Sequence, residues 1–280
     1  MLISEYPPQE PPTETLLFLH GRLIALAEGI EGHEHRFGDD PSQSLIVYPA
    51  AEPGSPVLIF LHGGGWTNGY KEEMAFLAPA LNAAGFTLVS SSYRMAPRHV
   101  FPAQRDDAAE AVARTWQLAE RYGYDRDAIF VGGHSAGGHL TSLLAVTYDW
   151  QAARGLPRDV VKGCLPISGS YDFTPGSGLS MRPRFLGPEG IFNEVAASPI
   201  FQLRDAAPPF LIAYGTKDFP HLMVQSEKFA MVVRARGLAA ETLEISDATH
   251  GTVLLMAAAA DKPWLPAATR WMRTALAASE

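Results

Sequence analysis

The chain has 280 residues, 47% hydrophobic and 19% charged, with 30 acidic against 22 basic side chains and a net charge of −8. That composition supports a sizeable core and excludes a disordered chain. The acidic balance, without a Lys/Arg run long enough to track a phosphate backbone, excludes nucleic acid and argues against an anionic membrane as partner.

The length suits one large α/β domain spanning 1–280. Residues 1–14 read as extended and irregular, and 15–29 as a helix stopped at Gly29. Residues 44–48 read as a strand. Val57-Leu58-Ile59-Phe60-Leu61 is an unbroken apolar run between Pro56 and a glycine cluster, which predicts a parallel strand buried on both faces. A helix over 71–83, a strand over 86–91 and an Ala-rich helix over 104–121 follow. The alternation then continues with a strand over 129–132 and a helix over 136–148. After these come a strand over 161–167, a strand over 210–214, a helix over 221–236, a strand over 241–245 and a closing helix over 262–278. Repeated β-α-β units imply a mostly parallel, doubly wound sheet with helices on both faces. The Gly/Pro-rich stretch over about 170–208 is too long for an ordinary connection, so it is expected to form a small partial cap, with residues 1–40 adding to the same lid.

The strongest signal is Gly133-His134-Ser135-Ala136-Gly137. It lies between a predicted strand and a predicted helix, the setting in which G-x-S-x-G forms a nucleophile elbow. Small flanking glycines let strand and helix pass closely, and the turn presents the Ser135 hydroxyl beside a helix N-terminus. Upstream, the strand ending at Leu61 runs into His62-Gly63-Gly64-Gly65-Trp66. A glycine run in that place can aim backbone N–H groups at one point, together with the N–H of Ala136, to hold an oxyanion. A flexible loop without chemistry is the alternative. A phosphate loop is disfavoured because its Lys and Ser/Thr positions are unfilled. His62 reads as a structural hydrogen-bonder.

In this arrangement an acid and then a histidine follow the serine. Asp218 comes just after the 210–214 strand and is the expected acid. Asp205 precedes that strand and is a weaker choice, Asp247 is only three residues from His250 and reads as shaping the histidine loop, and Glu227 reads as a solvated helix residue. His250 follows the 241–245 strand in a Gly-containing loop and is the expected base. His134 and His139 flank the serine as packing or hydrogen-bonding residues, and His221 starts a helix. His33 and His35 form an H-x-H pair in an acidic loop without a third ligand at metal-site spacing, so no metal is expected. Cys164 reads as a small buried hydrophobe. With no signal-peptide signature and no apolar stretch of membrane-spanning length, a cytoplasmic protein is expected.

Together, HGGGW, SSYRMAP…FPAQRDDAAEA, GGHSAGGHL and a late Asp and His resemble the α/β-hydrolase superfamily with an HGG-type oxyanion loop. Hormone-sensitive-lipase-like esterases share the first elements but more often carry GDSAGG, with Asp where this chain has His134. GHSAGGHL looks more like kynurenine formamidases (arylformamidases) and their bacterial esterase relatives. The segments Ser168-Gly169-Ser170-Tyr171-Asp172, Ala197-Ser198-Pro199 and Asp218-Phe219-Pro220…Gln225-Ser226 resemble that branch too.

The resemblance covers about 40–275 and implies a cofactor-free Ser135–His250–Asp218 triad. Gly64, Gly65 and Ala136 would form the oxyanion hole, with Gly63 a further candidate donor. It implies a small-molecule acyl substrate, with N-formyl-kynurenine-like amides first and short-chain esters or lactones as the alternative. A non-catalytic ligand-binding protein is a remote one. Trp66, His134 and Tyr171, with Tyr93 and Phe173 nearby, are the expected pocket residues, core packing being the alternative for each aromatic. A homodimer is compatible with the sequence.

Overall fold

The computed structural model describes residues 3–188 and 193–278. Residues 1, 2 and 189–192, which belong to the two expected lid segments, lie outside the described residues. Eight strands form one sheet: β1 (His33–Arg36), β2 (Ser44–Tyr48), β3 (Val57–Leu61), β4 (Thr87–Ser91), β5 (Ile129–His134), β6 (Val161–Ile167), β7 (Phe210–Gly215) and β8 (Ala240–Ile245). Their spatial order is β1-β2-β4-β3-β5-β6-β7-β8. The pairs β1/β2 and β2/β4 are antiparallel, and every other pair is parallel. The helices are α1 (Glu14–Ala27), α2 (Ala78–Ala83), α3 (Ala103–Tyr122), α4 (Ala136–Val146), α5 (Asp149–Ala152), α6 (Asn193–Ala197), α7 (Pro199–Gln202), α8 (Pro220–Ala235), α9 (His250–Leu255) and α10 (Trp264–Ala277).

Alternation along the central strands builds two cores. Val57, Ile59 and Leu61 of β3, with Ile129 and Val131 of β5, face α3, α4 and Phe229 of α8. Leu58, Phe60 and Phe130 face the opposite layer, against Leu81 of α2 and Trp264 and Met272 of α10. Each large apolar side chain so buried contributes roughly 1.5–3 kcal/mol. Because both faces are covered, these strands can be apolar throughout, as β3 is.

Several elements depart from the sequence reading. The acidic loop with the H-x-H pair is a short antiparallel edge strand, β1, whose His35 ring nitrogen bonds the Tyr122 hydroxyl at 2.6 Å. The expected helix over 71–83 is a 3-10 segment, Lys71–Leu77, leading into α2. The helix after the serine ends at Val146, where Thr147 turns extended. Among the described residues no helix is long and apolar enough to cross a membrane.

Candidate active site

The ends of the parallel strands gather the site. Ser135 stands between β5 and α4 with φ 54° and ψ −115°, a strained backbone for a residue with a side chain. Gly133 permits this turn. A Cβ there would come within 2.7 Å of the Gly137 carbonyl oxygen and 2.8 Å of that of Leu61. The Ser135 amide donates to the Ile167 carbonyl at 2.8 Å, tying the turn to β6.

His250 Nε2 lies 3.0 Å from Ser135 Oγ, and its Nδ1 lies 2.9 Å from Asp218 Oδ1. His250 was expected in a loop; it is instead the first residue of α9, held by a reciprocal capping box between Thr249 and Thr252. Asp218 leaves the turn after β7, and its side chain is fully buried. Burial pushes its carboxyl up. Hydrogen bonds from His250, from the Ser168 hydroxyl and from the Phe219 amide outweigh that and hold it below the usual carboxylate range. Ser168, just past β6 with φ 52°, is the positioning partner that sequence reasoning missed. Asp247 points away on an exposed turn and pairs with Lys217 at 2.8 Å. Asp205 is exposed beside Arg236, and Glu227 accepts from the Tyr214 hydroxyl.

The glycine turn lies alongside. Gly64 and Gly65 have φ of 111° and 62°, and with Gly63 they line the same cavity as Ser135. The Gly64 carbonyl accepts from the amides of Thr67 and Asn68, which closes the turn. His62 donates from Nδ1 to the Gly63 carbonyl at 2.7 Å and stacks on Tyr93, whose hydroxyl donates to the His62 carbonyl. The Ala136 amide opens α4, where the first amides have no partner within the helix. The N-terminal segment is pinned over this turn. Gln9 exchanges two hydrogen bonds with Gly69, and Asn68 donates to the Glu10 carbonyl at 2.6 Å.

Of the three expected pocket residues, two are elsewhere. Trp66, with φ 63°, turns inward. It stacks on Phe185 at 4.4 Å, meets Phe173 edge-on, and donates its indole N–H to His139 Nδ1. Tyr171 is fully buried and stacked on Phe229 at 4.5 Å. Both are core residues, and neither borders the cavity. Tyr93 and Phe173 are buried as well. His134 does border the cavity, but its Nε2 donates to the His250 carbonyl at 2.8 Å, so it braces the start of α9, which carries the candidate base.

The cavity, about 360 Å³, is walled by Leu16, Leu19 and Leu23 of α1, with Met74, Met181, Phe219 and Leu254. Within it sits a second polar pair. His20 Nδ1 is hydrogen-bonded to the carboxylate of Glu73, whose side chain is 2% exposed. Burial pushes the Glu73 carboxyl up, against the opposing bonds from His20 and the Tyr70 amide. A signal for it existed. His20 lies on the stripe Leu16, Leu19, Leu23, where an amphipathic helix carries apolar residues. No group of three His, Cys, Asp or Glu among the described residues could hold a metal ion.

Three histidines under the site are buried and neutral. Burial drives His62 and His134 down to about 3 and His139 to about 4. In the unfolded chain each titrates near 6.5. The unfolded state therefore takes up protons that the native state refuses, and stability is lost as pH falls from about 6.5 towards 3–4. Urea unfolding at stepped pH is expected to show the midpoint flat above about pH 7 and falling below about pH 6.5. A midpoint unchanged down to about pH 5 would contradict this.

A doubly wound sheet carrying a strained serine, a strand-end acid and a late histidine, hydrogen-bonded in sequence, defines an α/β-hydrolase fold with a serine-hydrolase site. A family model described as BD-FAE matches residues 45–165. Esterase LipC of Mycobacterium tuberculosis is 32% identical over 91% of this chain and 66% of its own length. Kynurenine formamidase of Danio rerio is 26% identical over 69% of this chain and 64% of its own. The chain thus spans just under two thirds of each of these curated relatives. A hyperthermophilic esterase from Pyrobaculum calidifontis superposes with a TM-score of 0.75 at 24% identity, over 94% of this chain and 92% of that one, which is a likeness of fold. The chain has the α/β-hydrolase fold and is similar to esterases of that superfamily.

Proposed function

We propose that this protein hydrolyses small carboxylic esters through Ser135, His250 and Asp218. The observation that carries this reading is the hydrogen-bonded Ser135–His250–Asp218 series opening on a cavity with largely aliphatic walls. His250 Nε2 takes the Ser135 proton as Oγ attacks the acyl carbon, and Asp218 fixes the tautomer and stabilises the imidazolium. The amides of Gly64, Gly65 and Ala136 receive the oxyanion, each such donor contributing about 3–4 kcal/mol in the transition state. His250 then protonates the departing alkoxide, and a water activated by the same imidazole releases the acid. No step in this scheme calls on a cofactor.

Cleavage of N-formyl aryl amides is the second reading, favoured by the likeness to the Danio rerio kynurenine formamidase. Against its ranking first stands the cavity wall. With Trp66 and Tyr171 in the core, Phe219 is the one Phe, Tyr or Trp bordering the cavity among the described residues. Rates on p-nitrophenyl acetate, p-nitrophenyl butyrate and N-formyl-kynurenine separate the two. The expected result is a kcat/KM on at least one ester well above that on the formamide. A formamide value far above both esters would reverse the ranking, and turnover of neither class would sink the hydrolase reading.

A further inference from the structure

Two histidines border the cavity with a carboxylate partner. His250 is engaged with Ser135 and Asp218. His20 is engaged with Glu73, and no step of the ester chemistry requires it. Its place is costly by ordinary rules. α1 turns Leu16, Leu19 and Leu23 towards the interior, and a polar ring among them, bound to a carboxylate that is itself almost fully buried, carries a desolvation penalty that an apolar side chain would avoid. The pair joins α1 to the 3-10 segment after the glycine turn, yet that junction also has apolar contacts through Leu23 and Met74.

A carboxylate only accepts hydrogen bonds. When Nδ1 donates to Glu73, neutral imidazole is left with Nε2 as a bare acceptor. The ring borders the cavity, so its neutral form offers a ligand an acceptor beside Leu16, Leu19 and Leu23. The other polar side chains on the wall do not duplicate this. Thr13 accepts from the Leu16 amide as the cap of α1, Thr67 donates to Asn68, Asn68 donates to the Glu10 carbonyl, and Arg184 pairs with Glu10 at the half-exposed rim.

We infer that His20, oriented by Glu73, is a specificity-determining residue that accepts a hydrogen bond from a hydroxyl or N–H group of the substrate, so that the preferred esters are hydroxylated or amino-bearing rather than purely aliphatic. This rests on the ester-hydrolase reading and adds the substrate class to it. A site built to receive a hydroxyl discriminates against the analogue that lacks it, because the buried acceptor is then left unpaired.

The test compares donor substrates with non-donor analogues larger by one methylene, on both sides of the ester bond, with the variants below as the control for size. The acyl set is the p-nitrophenyl esters of 3-hydroxybutyrate and 3-methoxybutyrate, and the alcohol set is the acetates of ethylene glycol and 2-methoxyethanol. In the wild-type protein the hydroxy-to-methoxy ratio of kcat/KM is expected to be roughly tenfold in at least one set, carried mainly by KM. His20→Leu is expected to bring that ratio near one. Glu73→Gln keeps the shape. With its oxygen taken by the Tyr70 amide, its NH2 faces Nδ1 and the ring proton moves to Nε2, so the ratio is also expected to collapse, in a protein whose imidazole is still present. A wild-type ratio near one in both sets, or a ratio that survives in both variants, overturns the inference. Failure of the underlying reading looks different: none of the four esters is hydrolysed, and a fluorophosphonate leaves Ser135 unlabelled.

Discussion

Replacing Ser135 with alanine is expected to lower kcat on any ester substrate by roughly 10⁶-fold. The hydroxyl contributes the attacking atom, and nothing beside it can substitute. Cys164 is buried, with its thiol pushed up to about 12, and Ser168 is committed to Asp218. Alanine keeps the Cβ, so the strained turn and the cavity wall persist, and melting temperature should be nearly unchanged. Residual turnover, of the order 10³-fold above water, would come from the oxyanion donors and binding alone. Active-site titration with a fluorophosphonate, followed by intact-mass measurement, separates true residual activity from wild-type contamination. An alanine variant retaining more than about a tenth of wild-type kcat would remove Ser135 from the mechanism.

Asp218→Asn is expected to cost on the order of 10⁴-fold in kcat, whereas Asp247→Asn changes it less than about twofold. The contrast follows from burial and partners. Asp218 accepts from His250, Ser168 and Phe219 in a closed setting, while Asp247 lies on an exposed turn with Lys217. Because Oδ1 takes both the Phe219 amide and the imidazole, asparagine will tend to place its oxygen there. The expected loss is then chiefly that of the charge opposing the imidazolium formed during attack. A reversed pair of results would make Asp247 the acid and would require the turn after β8 to rearrange on substrate binding.

The central sheet and the hydrogen-bonded serine were legible because their residues obey local rules. β3 is apolar throughout since it is buried on both faces, and Gly133 and Gly137 mark a crossing too tight for a Cβ. β1 was not legible. Its four polar residues are held by backbone pairing to β2, and side-chain burial contributes little. Trp66 and Tyr171 misled for a related reason. Nearness in sequence to the glycine turn and to β6 says nothing about which way a residue points. A positive φ at Trp66 and the stack on Phe229 turn both rings into the core. The stripe marked His20, but its pairing was hidden by distance along the chain, since Glu73 lies 53 residues away.

The pinning of the N-terminal segment over the glycine turn separates two kinds of inheritance in this molecule. The reacting groups sit on the rims of strands, where a change in position propagates through a packed sheet. The wall that a substrate meets comes in large part from residues 11–23, which, with Gln9 before them, are held to the glycine turn and the 3-10 segment by a few side-chain bonds and one helix face. Exchange of this stretch for another of equal length would redraw which molecules are admitted while leaving the reaction itself in place, so divergence among such proteins should accumulate first at this end of the chain.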